Sequence, residues 1–262
     1  MDDDSNWYPF MTSFDDSPAS VLVDRSWLDK GPDEKLTTSM IFAIPFEEPG
    51  PHGMGEEESM AAVDEEADPL LNDLSSRFGA AYVGCVRGSG FASFFLYISF
   101  KQVEPIKAHL KFVLGKRYMS PVTNNDPDWS TYFDELQPDP IEELISDSML
   151  ILNTLGEQGD DGSLPRKVDH EFFCPSEDAA KAIGAAMSQK GWTLAGITAS
   201  EHDHEHKEGE TCDHGPGFTV MLSNTMSVTP DSLMPMIHQC VDLADANDSM
   251  YGGWGSPVVK PE

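Results

Sequence analysis

The chain has 262 residues, enough for two small domains or one large one, and its 39% hydrophobic and 10% aromatic content suits a folded protein. Its charge is the outlier, with 46 acidic against 16 basic residues giving −30 at pH 7. That excess repels nucleic acid and anionic membrane surfaces, so direct nucleic-acid and membrane partners are excluded; it suits a basic protein partner or an anionic competitor, and equally serves solubility alone.

Strand-like runs occupy residues 7–14, 20–27 and 37–46, the last rich in apolar and aromatic side chains. Residues 59–78 predict a helix with Met60, Val63, Ala67, Leu70, Leu71 and Leu74 near one face, in which Pro69 bends the helix or marks a second start. Residues 80–86 and 91–100 predict two strands around Arg87-Gly88-Ser89-Gly90. That placement makes the glycines a hairpin turn, because a phosphate loop would lead from a strand into a helix and carry a third glycine. A helix over 103–114 follows, with Ile106, Leu110 and Val113 inward, and then a strand over 116–123.

The second half repeats this order. A helix over 141–155 (Ile141, Leu144, Ile145, Met149, Leu152) leads into a strand over 166–174. Ser176 is a good N-cap, with Glu177 and Asp178 favourably placed against the helix dipole. The helix runs to about Lys190 with Ala179, Ile183, Ala186 and Met187 inward, and Gly191 ends it. Strands over 192–200 and 218–227 flank a long polar loop. Thr229-Pro230-Asp231 starts the last helix, which carries Leu233, Ile237, Cys240, Val241 and Ala244 on one face and Pro235 in an early turn. Residues 250–259 predict the final strand. Two β-α-β-β-α-β units imply an α+β protein of two ferredoxin-like sandwiches, each with helices on one face of an antiparallel sheet, over residues 1–136 and 137–262.

The four cysteines (Cys85, Cys174, Cys212, Cys240) are far apart and form no C-x-x-C pair, so neither a disulfide framework nor a zinc ribbon is expected. Met1-Asp2-Asp3-Asp4 is the opposite of a basic signal-peptide start, which points to the cytoplasm. The sharpest metal pattern is His202, His204 and His206 followed by Cys212 and His214. These are ligand types for zinc or nickel, and alternating histidines on an extended strand share one side. The competing reading is a solvated hairpin insertion that binds metal only adventitiously.

Asp169 and His170 are adjacent, and neighbours on a strand face opposite sides, so an acid–base pair is not expected. A hydrogen-bonded histidine at the edge of the core is the simpler reading. The acidic runs Glu56-Glu57-Glu58, Glu65-Glu66 and Glu142-Glu143 are read as solvated helix surface, and the locally basic group Lys101, Lys107, Lys111, Lys116 and Arg117 as a docking face within the molecule. In Tyr251-Gly252-Gly253-Trp254-Gly255 the glycines permit close backbone approach, leaving the indole either to fill the core or to anchor a partner.

Asp161-Gly162-Ser163, Val168-Asp169-His170, Lys190-Gly191-Trp192 and Tyr251-Gly252-Gly253-Trp254-Gly255, in this order and with an alanine-rich helix between, resemble the RraB family of protein regulators of ribonuclease E, over about residues 139–259. The resemblance implies a ferredoxin-like fold and a non-enzymatic, strongly acidic regulator that binds the ribonuclease's scaffold region and restrains RNA decay. It makes Asp161, His170, Tyr251 and Trp254 candidate binding residues, with no catalytic residue. Gly252 stands where the family usually has aspartate, and the histidine-rich loop is longer than expected. A metal-binding or metal-sensing protein using that loop is the alternative function. Trp7, the strand over 19–27, Asp126-Pro127-Asp128-Trp129 and Tyr132-Phe133 resemble a bacterial domain of unknown function (six-nine-five), which implies no activity.

Overall fold

Alternation at period two lays down the first hairpin, β1 (Trp7–Phe14) against β2 (Ser17–Asp24), where Ala19, Val21 and Val23 are buried and Pro18, Ser20 and Leu22 are not. The computed structural model describes residues 6–14, 17–199 and 217–260. The chain divides into two units, Met1–Glu142 and Glu143–Glu262.

In the first unit the strand expected over 20–27 ends at Asp24. Its carboxylate accepts the Ser26 amide at 3.0 Å and turns the chain into a short helix, α1 (Ser26–Lys30), which carries Trp27. Then come β3 (Thr38–Pro45), α2 (Glu57–Phe78), β4 (Ala81–Gly88), β5 (Phe91–Ile98), α3 (Val103–Leu114) and β6 (Val122–Asn125). The sheet order is β1-β2-β4-β5-β3-β6 with every pair antiparallel. Its last four strands have the ferredoxin-like order, and the β1-β2 hairpin extends it beyond β4.

Pro69 neither ends nor restarts α2, an unbroken helix of 22 residues in which the proline is exposed. Gly79 closes the helix at φ 67°, a left-handed cap that glycine adopts without strain. Leu114, not Val113, takes the inward position on α3, and Val113 is 42% exposed. Residues 115–117 form a 3-10 turn where strand was expected, and β6 begins only at Val122.

The helix side of this sheet holds the main core, including Phe42, Leu74, Phe94 and Leu110. The opposite side is covered as well, by a segment that follows β6. Trp129 stacks on Tyr97 (centroids 4.0 Å apart, planes 6° apart) and Tyr132 donates to the Asp24 carbonyl at 2.7 Å. Asp126 fixes this segment by accepting the Tyr97 hydroxyl at 2.6 Å and the Ser130 and Thr131 amides at 2.8 and 3.0 Å. Burial alone would raise the Asp126 carboxyl, but these donors outweigh it and hold it at about 2.

α4 (Pro140–Glu157) starts with a reciprocal cap. Asp139 accepts the Ile141 and Glu142 amides, and Glu142 accepts the Asp139 amide at 2.9 Å. The second unit continues with β7 (Arg166–Cys174), α5 (Glu177–Gln189), β8 (Thr193–Ala199), β9 (Phe218–Met226), α6 (Pro230–Asp245) and β10 (Met250–Gly255). Its antiparallel sheet has the order β10-β7-β9-β8, which is the ferredoxin-like arrangement. Both units are therefore ferredoxin-like α+β sandwiches.

The Ser176 side chain accepts the Ala179 amide at 3.2 Å, and Thr229 with Ser232 forms a capping box on α6. Phe172, Ile183, Met187, Leu222, Ile237 and Trp254 belong to one core. On α5 the buried alanine is Ala180, while Ala179 and Ala186 are half-buried. Met149 of α4 is 39% exposed, and Leu155 takes the buried position. The final strand stops at Gly255 rather than running to 259. Among the described residues no helix is long and apolar enough to cross a membrane.

Candidate functional site

The loop entering β7 is organised by a buried ion pair. Asp160 and Arg166 are 2% and 4% exposed, and the guanidinium grips the carboxylate through two nitrogens. The same carboxylate accepts the Gly162 amide at 2.9 Å and the Val259 amide at 2.8 Å, so one side chain ties the loop to the chain segment after β10. The Arg166 hydrogen bonds, with these amides, hold the Asp160 carboxyl far below the usual carboxylate range. Gly162 has φ 73°, its carbonyl accepts the Val228 amide at 2.8 Å, and a Cβ there would lie 2.7 Å from the Val228 carbonyl oxygen. Only glycine fits.

β7 and β10 pair with Tyr251 opposite Phe172 and Trp254 opposite His170, across a bulge between Tyr251 and Gly253. The bulge returns both aromatics to the inner face. His170 is fully buried, with Nδ1 2.9 Å from the Tyr251 hydroxyl, Nε2 3.1 Å from Asn224 Oδ1, and its ring 4.3 Å from that of Trp192. Because Asn224 Oδ1 can only accept, Nε2 carries the proton and the Tyr251 hydroxyl donates to Nδ1. Burial pushes the imidazole down to about 4, which keeps it neutral at physiological pH. The Trp254 indole donates to the Ser148 hydroxyl at 2.8 Å, and that hydroxyl donates to the Leu144 carbonyl at 2.6 Å, locking β10 to α4.

Of the four candidate binding residues, His170, Tyr251 and Trp254 thus come together in the core. Asp161 is exposed on the preceding turn, where Ser163 donates to its carboxylate at 2.7 and 3.0 Å from hydroxyl and amide and lowers its pKa. Asp169 faces away from His170 and pairs with Lys167 at 2.7 Å. Asn224 also lines a polar cleft of ≈ 660 Å³ with Lys167, Lys190 and Trp192. This arrangement offers the imidazole fixed hydrogen bonds to Tyr251 and Asn224.

His202, His204, His206, Cys212 and His214, proposed above as zinc or nickel ligands, lie outside the described residues. Among the described residues no group of three or more histidine, cysteine or acidic side chains could hold a metal ion. In the basic group, Arg117 pairs with Glu66 and donates to the Pro45 carbonyl at 2.8 Å. The Asp160–Arg166 clamp escaped the sequence reading. Its one signal was an arginine at the first, inward position of a strand, which requires a buried anion nearby.

Gly252 packs under Phe173. A Cβ at that position would lie 2.5 Å from the phenyl ring, so the ring occupies the space a side chain would need.

Two solved structures similar to this chain are an unknown protein from Galdieria sulphuraria (10% identity, 85% of this chain and 99% of that one, TM-score 0.24) and a "putative glycine cleavage system transcriptional repressor" (9% identity, 84% and 98%, TM-score 0.25). No curated protein matches. Residues 147–256 match the family "Regulator of ribonuclease activity B", RraB, and span β7 to β10 with most of α4. Residues 5–137 match "Family of unknown function (DUF695)" and span the first sheet together with the Trp129–Tyr132 cover on its second face. Half of the chain lies within that second match, and the chain belongs to the DUF695 family, followed by a region that is similar to the RraB family.

Proposed function

We propose that this protein is a cytoplasmic, non-enzymatic regulator whose second unit binds a basic segment of a ribonuclease, of the ribonuclease E scaffold type, and restrains RNA decay. The match of residues 147–256 to the RraB family carries this reading. Three properties agree with it. The net charge of −30 favours a basic protein surface over RNA. The buried histidine is neutral and already satisfied by Tyr251 and Asn224, as a structural group would be. Asp161 presents an exposed carboxylate beside the clamped loop. Tyr251 and Trp254 are buried, so in this reading they serve binding by holding β10 and α4 in place, not by touching the partner.

The test is a calorimetric titration of the full chain with a recombinant ribonuclease E scaffold region across a salt series, with RNA turnover assayed in parallel. The expected result is binding that weakens steeply with salt, as for opposed charges, together with slower turnover. Absence of binding at low salt with turnover unchanged removes the proposal.

A further inference from the structure

α3 buries Val103, Ile106, Leu110 and Leu114 on its inner side, and the helical period then gathers Pro105, Ala108 and Phe112 on the opposite side. At 3.6 residues per turn these three lie within about 60° of one another, so they form a stripe along the helix axis. All three are exposed. Phe112 is 85% exposed, and Phe100, in the turn leading into the helix, is 75% exposed. No other large apolar side chain among the described residues is exposed as far. The outer side of a surface helix is ordinarily polar, and covering such rings removes apolar area from water.

The charge around this stripe is opposite to that of the chain. Residues 101–117 carry five of the 16 basic residues (Lys101, Lys107, Lys111, Lys116 and Arg117) against one acid, Glu104, in a chain whose net charge is −30. Within the first unit Arg117 pairs with Glu66, and Lys107 pairs with Glu104 at 3.4 Å. Lys101, Lys111 and Lys116 are exposed and make no ion pair among the described residues. Lys101 precedes the stripe, Lys116 follows it, and Lys111 adjoins Phe112.

Charge selects what covers this face. Unpaired ammonium groups around an apolar stripe call for carboxylates around an apolar side chain. A second copy packed through the same face about a two-fold axis would bring lysines against lysines. A lipid bilayer or a nucleic acid attracts the lysines but extends far beyond them. Charge is felt over about 8 Å at physiological ionic strength, so a short segment lying along α3 meets mainly the local positive field. An extended anion also meets the acidic remainder of the chain and is repelled by it.

We infer that the outer face of α3 docks an acidic segment of a partner protein, one that carries a large apolar side chain. That side chain rests on Pro105 and Ala108 against the Phe112 ring. Its flanking carboxylates pair with Lys101 at one end and with Lys111 and Lys116 at the other. The surface belongs to the first unit and is independent of the ribonuclease reading of the second.

The experiment pans a random peptide display library on the full chain and counter-selects on the same chain carrying Lys111→Glu and Phe112→Ser. Sequences that bind elsewhere, including basic ones held by the second unit, are removed by the counter-selection. The survivors are expected to combine several Asp or Glu residues with a Leu, Ile, Phe or Trp. In fluorescence anisotropy the strongest survivor, made as a free peptide, binds Phe112→Ser about 5- to 10-fold more weakly than the parent. Lys111→Glu weakens it at least about 3-fold, and added salt weakens it further, while Phe112→Leu retains binding. Both positions are exposed, so Tm stays at the parent value. The inference is overturned if no sequence survives counter-selection, if the survivors are neutral or basic, or if the free peptide binds Phe112→Ser and Lys111→Glu as tightly as the parent. It is equally overturned if phosphatidylserine vesicles or oligothymidylate bind through these residues more tightly than the peptide. Self-association of the parent in sedimentation that the double variant abolishes also overturns it, since a second copy is then the occupant.

Discussion

The buried imidazole of His170 makes the second unit sensitive to mild acid. Its folded pKa is about 4 against an ordinary 6.5. Above about pH 6.5 the imidazole is neutral whether the chain is folded or not, and its contribution is complete. As pH falls from about 6.5 towards about 4, the unfolded chain takes up a proton that the fold refuses, and stability is lost at up to about 1.4 kcal/mol per pH unit. Between about pH 7.5 and about pH 5 the loss from this one group is roughly 2 kcal/mol. Urea unfolding of the parent and of His170→Gln across that window isolates it, because general relief of the acidic self-repulsion is common to both and cancels. The parent should lose roughly 2 kcal/mol more than the variant, whatever their absolute stabilities. Equal losses, or an NMR titration in which the His170 ring protonates at its ordinary pKa in the folded chain, refute the assignment of a dry, neutral, hydrogen-bonded imidazole.

Three further outcomes follow from the same unit. Asp160→Asn leaves the buried Arg166 guanidinium without its counter-charge and should cost about 3–5 kcal/mol in chemical denaturation, part of which returns when Arg166→Met is added. Gly162→Ala should cost at least about 2 kcal/mol, seen as a lowered Tm, because it combines a left-handed backbone with a Cβ 2.7 Å from the Val228 carbonyl oxygen. Gly252→Asp should cost only about 1 kcal/mol, since the Phe173 ring it displaces is 39% exposed and can swing outward, and the Phe173 ring proton shifts will report the movement.

Elements governed by local chemistry were legible in the sequence. Ser176 announces its helix because a hydroxyl at that point satisfies the Ala179 amide, and Thr229-Pro230 marks α6 for the same kind of reason. Where tertiary packing chooses between neighbours, periodicity falls one residue short: Leu114 displaces Val113, and Ala180 is buried where Ala179 and Ala186 are half-buried. The cover formed by Trp129, Tyr132 and Leu136 was invisible as a core, because its aromatics lie in irregular chain and in a single π-helical turn, without a repeat. Asp126 organises it through hydrogen bonds to Tyr97, 29 residues earlier in the chain, a pairing no local pattern encodes. The Asp160–Arg166 clamp was hidden similarly, since a charged residue at a strand start reads as solvated until the fold supplies the segment around Val259.

Burial also changes what the RraB resemblance says about binding. His170, Tyr251 and Trp254, through which it is recognised, are interior, and each has its polar atoms matched within the second unit. Replacing Trp254 would remove the Ser148 hydrogen bond and open a cavity beneath α4, so lost binding in such a variant would report damage to the fold as readily as a lost contact. Partner choice has to be written in side chains that reach solvent. Asp161 beside the clamped loop and Phe173 above Gly252 are two such positions. A ribonuclease contact that runs through these exposed side chains should therefore respond to Asp161→Ala or Phe173→Ala at undiminished Tm. A contact that responds only to variants which also lower Tm has not been located on the surface at all.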